Sequence, residues 1–186
     1  LDRLMSAIYE SPYASDLGLI QKNANRLLRV INQILDFRKV EGKQEKLAVR
    51  EIDLVPFVGE IKSYFDSMAS VRAIAYTFTS SIKQCTLCVD PDLLELVIVN
   101  LLSNAFKFTP EGGTISVTLR LRLEKEGENK LVIEVSDSGI GIPADKQGAI
   151  FDRFYQVASP DKGNPVVGTG IGLHLCREFV RMHHGT

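Results

Sequence analysis

The sequence predicts an α+β protein: a two-layer α/β sandwich, a mixed sheet with helices on one face, preceded by an α-helical hairpin fragment. Three observations predict it. Strand-like and helix-like segments are interleaved from residue 47 onward. A long apolar pattern spaced 3-4-3-4-3 lies ahead of them, at Leu17, Ile20, Ala24, Leu27, Ile31 and Ile34. The polar stretch EGKQEK (41–46) separates the two, so the chain divides into 1–46 and 47–186.

Residues 1–10 read as the end of a helix, stopped by Ser11-Pro12. The helix from Asp16 to about Val40 carries a helix-bundle seam, which Leu28 and Leu35 widen. One helix and a stub cannot bury that face alone, so we expect a second copy to cover it; the other reading is an amphipathic helix lying on its own domain. Beyond the boundary we read a strand near 47–53 and a helix near 54–69. Strands follow near 73–79 and 85–89, then a helix at 91–107, started by Asp90 as cap and Pro91 at the first helical position. Alternating residues give strands at 114–123 and 130–137, joined as a hairpin by EKEGENK (124–130). A short helix over 143–152, a loop over 156–170 and a last helix from about 171 complete the order.

Composition narrows the function. With 45% hydrophobic and 24% charged residues the chain supports a core, and a net charge of −1 gives no nucleic-acid footprint. Apolar runs are far shorter than a membrane span. Three cysteines make no disulfide framework, which suits a reduced, cytoplasmic setting. Cys85 and Cys88 form a C-x-x-C, but on a strand those positions face opposite sides, so we read two strand residues and no zinc or redox site. The chain opens inside a helical pattern, and we expect it to be an excised part of a longer protein.

Three motifs carry the chemistry: NLLSNAFKFT (100–109), DSGIGIP (137–143) and GTGIGL (168–173). The helix bearing the first is apolar nearly all round, so its polar groups need partners. Asn100, Asn104 and Lys107 stand at i, i+4 and i+7 and share one face. Two amides and an ammonium suit a phosphate chain with a divalent cation. They also suit backbone capping with a snorkelling lysine, and spacing alone leaves both open. Asp137 ends a strand we expect to be largely buried, beside Gly139 and Gly141, whose flexibility lets backbone approach a ligand. A carboxylate there accepts from the exocyclic amine of adenine and repels the guanine carbonyl; the alternative is an Asx-turn. GTGIGL enters a helix whose N–H groups favour phosphate, yet it lacks the spacing of a dinucleotide fingerprint or a P-loop.

In this order and spacing the motifs resemble the ATP-binding catalytic domain of sensor histidine kinases, the Bergerat (GHKL) fold. NLLSNAFKFT resembles its asparagine box, and DSGIGIP and GTGIGL its two glycine boxes. FDRFYQ (151–156) is similar to the phenylalanine box, and NRLLRVINQILDFRKVE (25–41) to the second helix of the dimerisation and histidine-phosphotransfer domain. The last segment is closest to large hybrid sensor kinases. The resemblance implies that Asn104 binds Mg²⁺, that Asn100 and Lys107 contact phosphate, and that Asp137 takes the adenine amine. It implies that Gly139 and Gly141 shape the base pocket, and that Gly168, Thr169, Gly170, Gly172 and Leu173 line the nucleotide beside its phosphates. Phe151 and Phe154 would anchor a lid over 155–167, with Arg153 and Lys162 both candidates to reach phosphate. Further implications are a homodimer through helix 16–40, a response-regulator receiver domain as partner, and a membrane-anchored parent with this part in the cytoplasm.

Two departures qualify it. The ATPases of the wider fold place a glutamate base four residues before the metal asparagine, where this chain has Asn100; an amide takes no proton at neutral pH, which disfavours hydrolysis. No histidine precedes His174, so the family's phosphate acceptor is absent, and MHHGT (182–186) stops short of the family's final strands. We therefore expect an ATP-dependent histidine kinase in the parent and no self-phosphorylation by these residues. The alternatives are a non-catalytic nucleotide-binding and dimerisation module, or a GHKL-type ATPase.

Overall fold

The computed structural model describes residues 16–18, 20, 21, 24, 27, 47–123, 129–156 and 169–186. The chain divides into two compact units, Leu1–Lys43 and Gln44–Thr186. In the first, the described residues are helical, and Leu17, Ile20 and Leu27 of the expected seam face solvent. Ile31, Ile34 and the other positions of the helix expected over 16–40 lie outside the described residues.

The second unit runs β1 (Arg50–Asp53), α1 (Leu54–Ser63), α2 (Asp66–Val71), β2 (Ala75–Ser80), β3 (Thr86–Val89), α3 (Pro91–Phe108), β4 (Thr114–Leu123), β5 (Asn129–Asp137), a 3₁₀ turn (Ala149–Phe151) and α4 (Gly172–Met182). β4 shows why a sheet forms: Ile115, Val117 and Leu119 alternate with polar residues and are buried. It stands between β2, which it pairs in parallel, and β5, which it pairs antiparallel with Ile115 opposite Asp137. The inward face meets Val58 and Ile61 of α1 and Ile98, Leu102, Ala105 and Phe106 of α3. Phe106 sits at the centre, stacked on Phe65 at 5.2 Å and edge-on to Tyr76 at 5.0 Å. Among the described residues no helix is long and apolar enough to cross a membrane.

Four local expectations are corrected. The single sheet is two: β1 and β3 form their own antiparallel pair. Ser80 folds the chain back on itself, its Oγ donating to the Ile82 carbonyl at 2.6 Å, and Asp53 then draws in the Cys85 N–H at 3.0 Å, which seats β3 beside β1. The helix near 54–69 breaks at Tyr64 and Phe65, because Phe65 turns inward onto Phe106. Residues 143–148 are all exposed, so no packed face sustains a helix, and only the 3₁₀ turn forms. Among the described residues β5 is an edge strand, half-buried in its middle and exposed at Ser136 and Asp137.

Candidate functional site

α3 is built to carry polar groups at a fixed height. Asp90 caps it, accepting from Asp92 N–H at 3.1 Å and Leu93 N–H at 3.2 Å. Its buried side, Leu93, Val97, Ile98, Leu102, Ala105 and Phe106, turns toward the core. Asn100, Asn104 and Lys107 are half-buried along the remaining stripe. Asn100 donates from Nδ2 to the Leu96 carbonyl one turn back, at 3.0 Å. Its Oδ1 faces Gly172, where any Cβ would sit 2.9 Å away. The Asn104 amide makes no hydrogen bond among the described residues. The Lys107 ammonium lies over the Phe108 ring at 4.9 Å.

The segment after β5 rests on the far end of the same helix. A Cβ on Gly139 would lie 2.7 Å from the Phe108 carbonyl oxygen, so this position admits no side chain without backbone movement. Ser138 locks the segment to β4: its N–H donates to Thr114 O at 3.0 Å, and its Oγ accepts from Thr114 N–H at 2.9 Å. Asp137 is exposed and not, as the sequence suggested, buried, because it ends an edge strand. One carboxylate oxygen accepts the Gly139 N–H at 2.8 Å, so the Asx-turn forms. The Asx-turn and a ligand role are compatible, since the other oxygen has no partner among the described residues. Gly141 follows with φ +68°, in the left-handed region that glycine enters freely.

The third motif enters α4 from the other side. Gly168 and Lys162 lie outside the described residues. Thr169 turns its hydroxyl to its own loop, accepting Ile171 N–H at 3.4 Å. Gly170 has φ +70° and packs so tightly on Phe154 that a Cβ would lie 2.6 Å from the Phe154 carbonyl carbon. The Phe154 N–H donates to Gly170 O at 2.9 Å, while the residue is 70% exposed, so Phe154 joins the turn through its backbone. Leu173 is half-buried just inside α4.

The sequence did not reveal how α4 grips the 151–154 segment. Buried His174 donates from Nδ1 to the Phe151 carbonyl at 3.2 Å, since that oxygen only accepts. Its Nε2 therefore accepts from Arg153 Nε, 3.3 Å away. Arg153, a candidate to reach phosphate, is turned toward this histidine. Arg177 adds an ion pair to Asp152 at 3.9 Å and lies over the Phe151 ring. Cys176 donates weakly to Val97 O at 3.7 Å, and burial pushes its thiol up to about 12. It is a packing residue between α3 and α4.

Thus the middle of α3 meets the second glycine turn, and its C-terminal end meets the first. The arrangement offers amides and an ammonium, an acid on a glycine turn, and backbone N–H groups entering a helix. Among the described residues no three His, Cys, Asp or Glu side chains cluster as a ready metal site.

The family described as histidine kinase-, DNA gyrase B-, and HSP90-like ATPase matches residues 89–186, more than half of the chain. The chain belongs to this family. Within it the resemblance is to sensor histidine kinases. The sensor histidine kinase TmoS of Ectopseudomonas mendocina is 40% identical over 177 residues, covering 95% of this chain and 18% of its own length. The chain therefore spans less than a fifth of that relative. Full-length ShkA, solved in complex with AMPPNP, superposes with a TM-score of 0.75 at 22% identity, covering 95% of this chain and 35% of that one. Histidine kinase ThkA, solved with the response regulator protein TrrA, gives 0.70 at 22% identity, over 95% and 46% of the two chains. The mixed sheet and its helices are thus the Bergerat fold of the histidine kinase ATP-binding catalytic domain.

Proposed function

We propose that this chain is the nucleotide-holding part of a protein histidine kinase, which positions ATP so that its terminal phosphoryl group passes to a histidine outside these 186 residues. One observation carries the reading: both glycine turns close on the helix that bears Asn100, Asn104 and Lys107, at Gly172 and at Gly139. Asp137 accepts from the adenine amine with the oxygen its Asx-turn leaves over, and Gly141 keeps the base edge clear. Lys107 neutralises phosphate as a point charge, and Asn100 turns its amide oxygen to Gly172 at the end of the turn that Thr169 and Gly170 open into Leu173 and the rest of α4. His174 and His183 are engaged inside the fold, so neither serves as acceptor.

Mg²⁺ fits as a companion of the phosphates and not as a resident ion. The half-buried Asn104 amide supplies one hard oxygen, and among the described residues no acidic cluster stands by to complete a shell. The metal when bound adds neutralisation of phosphate charge. Asn100 already donates to Leu96 O and is no base, which argues against hydrolysis. Helix 16–40 pairs two copies through its apolar seam, a receiver domain takes the phosphoryl group onward, and the whole protein is a membrane-anchored sensor with this part in the cytoplasm. The solvent-facing Leu17, Ile20 and Leu27 and the likeness to ThkA support those partners.

Titration of ATP and GTP tests the reading. Wild-type protein binds ATP with Mg²⁺ and discriminates against GTP; Asp137→Ala loses ATP affinity by at least about tenfold, roughly the worth of one charge-assisted hydrogen bond. Asn104→Ala removes the metal dependence. Unchanged ATP binding in Asp137→Ala would sink the adenine assignment.

A further inference from the structure

The nucleotide reading rests on two half-sites, the phosphate-facing stripe of α3 and the base-facing turn at 137–141, and a single ligand must touch both. Their spacing is set where they meet, at the C-terminal end of α3. A helix end presents carbonyls without intrahelical partners and the negative pole of the dipole. Here Thr109 N–H takes the Ala105 carbonyl, and Phe108 O lies against Gly139. The Phe106 and Thr109 carbonyls are taken by a residue from far back in the chain. Arg72 donates from one guanidinium nitrogen to Phe106 O and from the other to Thr109 O, the latter at 2.5 Å.

Arg72 is itself tied down. Its N–H donates to Met68 O at 3.1 Å at the end of α2, and its carbonyl accepts Gly112 N–H at 3.1 Å from the loop leading into β4. That loop continues to Thr114, which Ser138 binds on both sides. Lys107 thus lies between a carbonyl clamped by Arg72 and one pressed on Gly139, with Asn104 one turn further in. We infer that Arg72 is a positioning residue for nucleotide binding: its two-point clamp fixes the end of α3 against the 137–139 turn and so sets the distance between the two halves of the site. The inference rests on the reading given under Proposed function. Only arginine among the side chains is charged and forked to reach two carbonyls at once.

The test separates spacing from general loosening. ATP with Mg²⁺ spans both halves; adenosine occupies only the base half, and magnesium tripolyphosphate only the phosphate half. In Arg72→Met, the full chain should bind ATP about tenfold more weakly, because misaligned half-sites lose the advantage of linkage. Adenosine and tripolyphosphate, followed by NMR at millimolar concentration, should each change by less than about twofold. Arg72→Lys keeps the charge at the helix end without the fork. It should recover most of the melting temperature and leave ATP affinity low, and it carries the same comparison should Arg72→Met fail to fold. Wild-type protein that bound no ATP would defeat the underlying reading. Wild-type binding with equal affinity in Arg72→Met would defeat this inference alone. It falls as well if all three ligands weaken together, or if Arg72→Lys restores ATP affinity in full.

Discussion

The two ends of α3 are held by different means. At the N-terminal end local partners start the helix and distant ones dock it. Asp90 accepts from Asp92 and Leu93, and adds one distant donor, Ala48 N–H, at 2.8 Å. Its own N–H donates to His183 Nε2 at 3.0 Å, which ties in the end of α4. At the C-terminal end nearly everything comes from afar: Arg72 from the end of α2, and Gly139 from beyond β5. The N-terminal end fixes the helix in the fold. The C-terminal end fixes the fold to the site. The difference teaches that a helix can owe its existence to local chemistry and its usefulness to long-range chemistry.

Substitutions at each end sharpen this contrast. The largest effect on stability is expected from Asp90→Ala, which strands three backbone donors around a buried position. We expect a loss of about 2–3 kcal/mol in urea unfolding. The protein that remains folded should keep its ATP affinity, since this end carries no ligand group. Affinity falling in step with stability would erase the distinction between the ends.

Gly139→Ala acts at the other end. The added methyl would lie 2.7 Å from Phe108 O and 2.6 Å from Asp137 Oδ1, so turn and helix must part. Stability should fall by about 1–2 kcal/mol, and ATP affinity by more than that loss accounts for. Intact ATP affinity would mean that the contact is packing and nothing more.

Tyr76 gives a smaller effect of opposite sign. Its ring packs on Phe106 near the clamped end, but its hydroxyl is buried without a hydrogen-bond partner among the described residues. Burial, with a lesser push from Asp66, raises its pKa. A phenol whose proton is held more tightly in the folded state contributes stability that is present below the unfolded pKa, about 10, and is lost as pH rises above it. Tyr76→Phe should therefore raise stability by about 1 kcal/mol at neutral pH and flatten part of the decline above about pH 10. A destabilised variant would reveal a hydroxyl partner. Smallest is Ala73→Gly: Ala73 sits next to Arg72 at φ +50°, where glycine rests without strain. A gain of about 0.5 kcal/mol is expected from thermal melts, and a loss would show that the strain is absorbed elsewhere.

Legibility in the sequence follows the same division. Asp90-Pro91-Asp92 announced the start of α3, and the alternation through TISVTLRLRL announced β4, because both are written in adjacent residues. Asn100, Asn104 and Lys107 were placed on one face by spacing alone. Arg72 gave no signal, since its partners lie 34 and 37 residues away. Phe65 broke a helix that local propensity would have continued, because Phe106 stacks on it. Asp137 was expected inside the sheet, and pairing left it at an exposed edge. His174 reads as one more residue after a glycine motif; only the fold sets it between Phe151 and Arg153.

The claim at the centre is that one nucleotide touches the stripe of α3, the turn after β5 and the entry to α4. Two-dimensional NMR of the wild-type chain, titrated with a non-hydrolysable ATP analogue and Mg²⁺, tests it directly. We predict that the Asn104 side-chain amide and the backbone amides of Gly139 and Gly172 shift together along one saturation curve. Shifts confined to one of these segments, or following separate curves, would contradict the account.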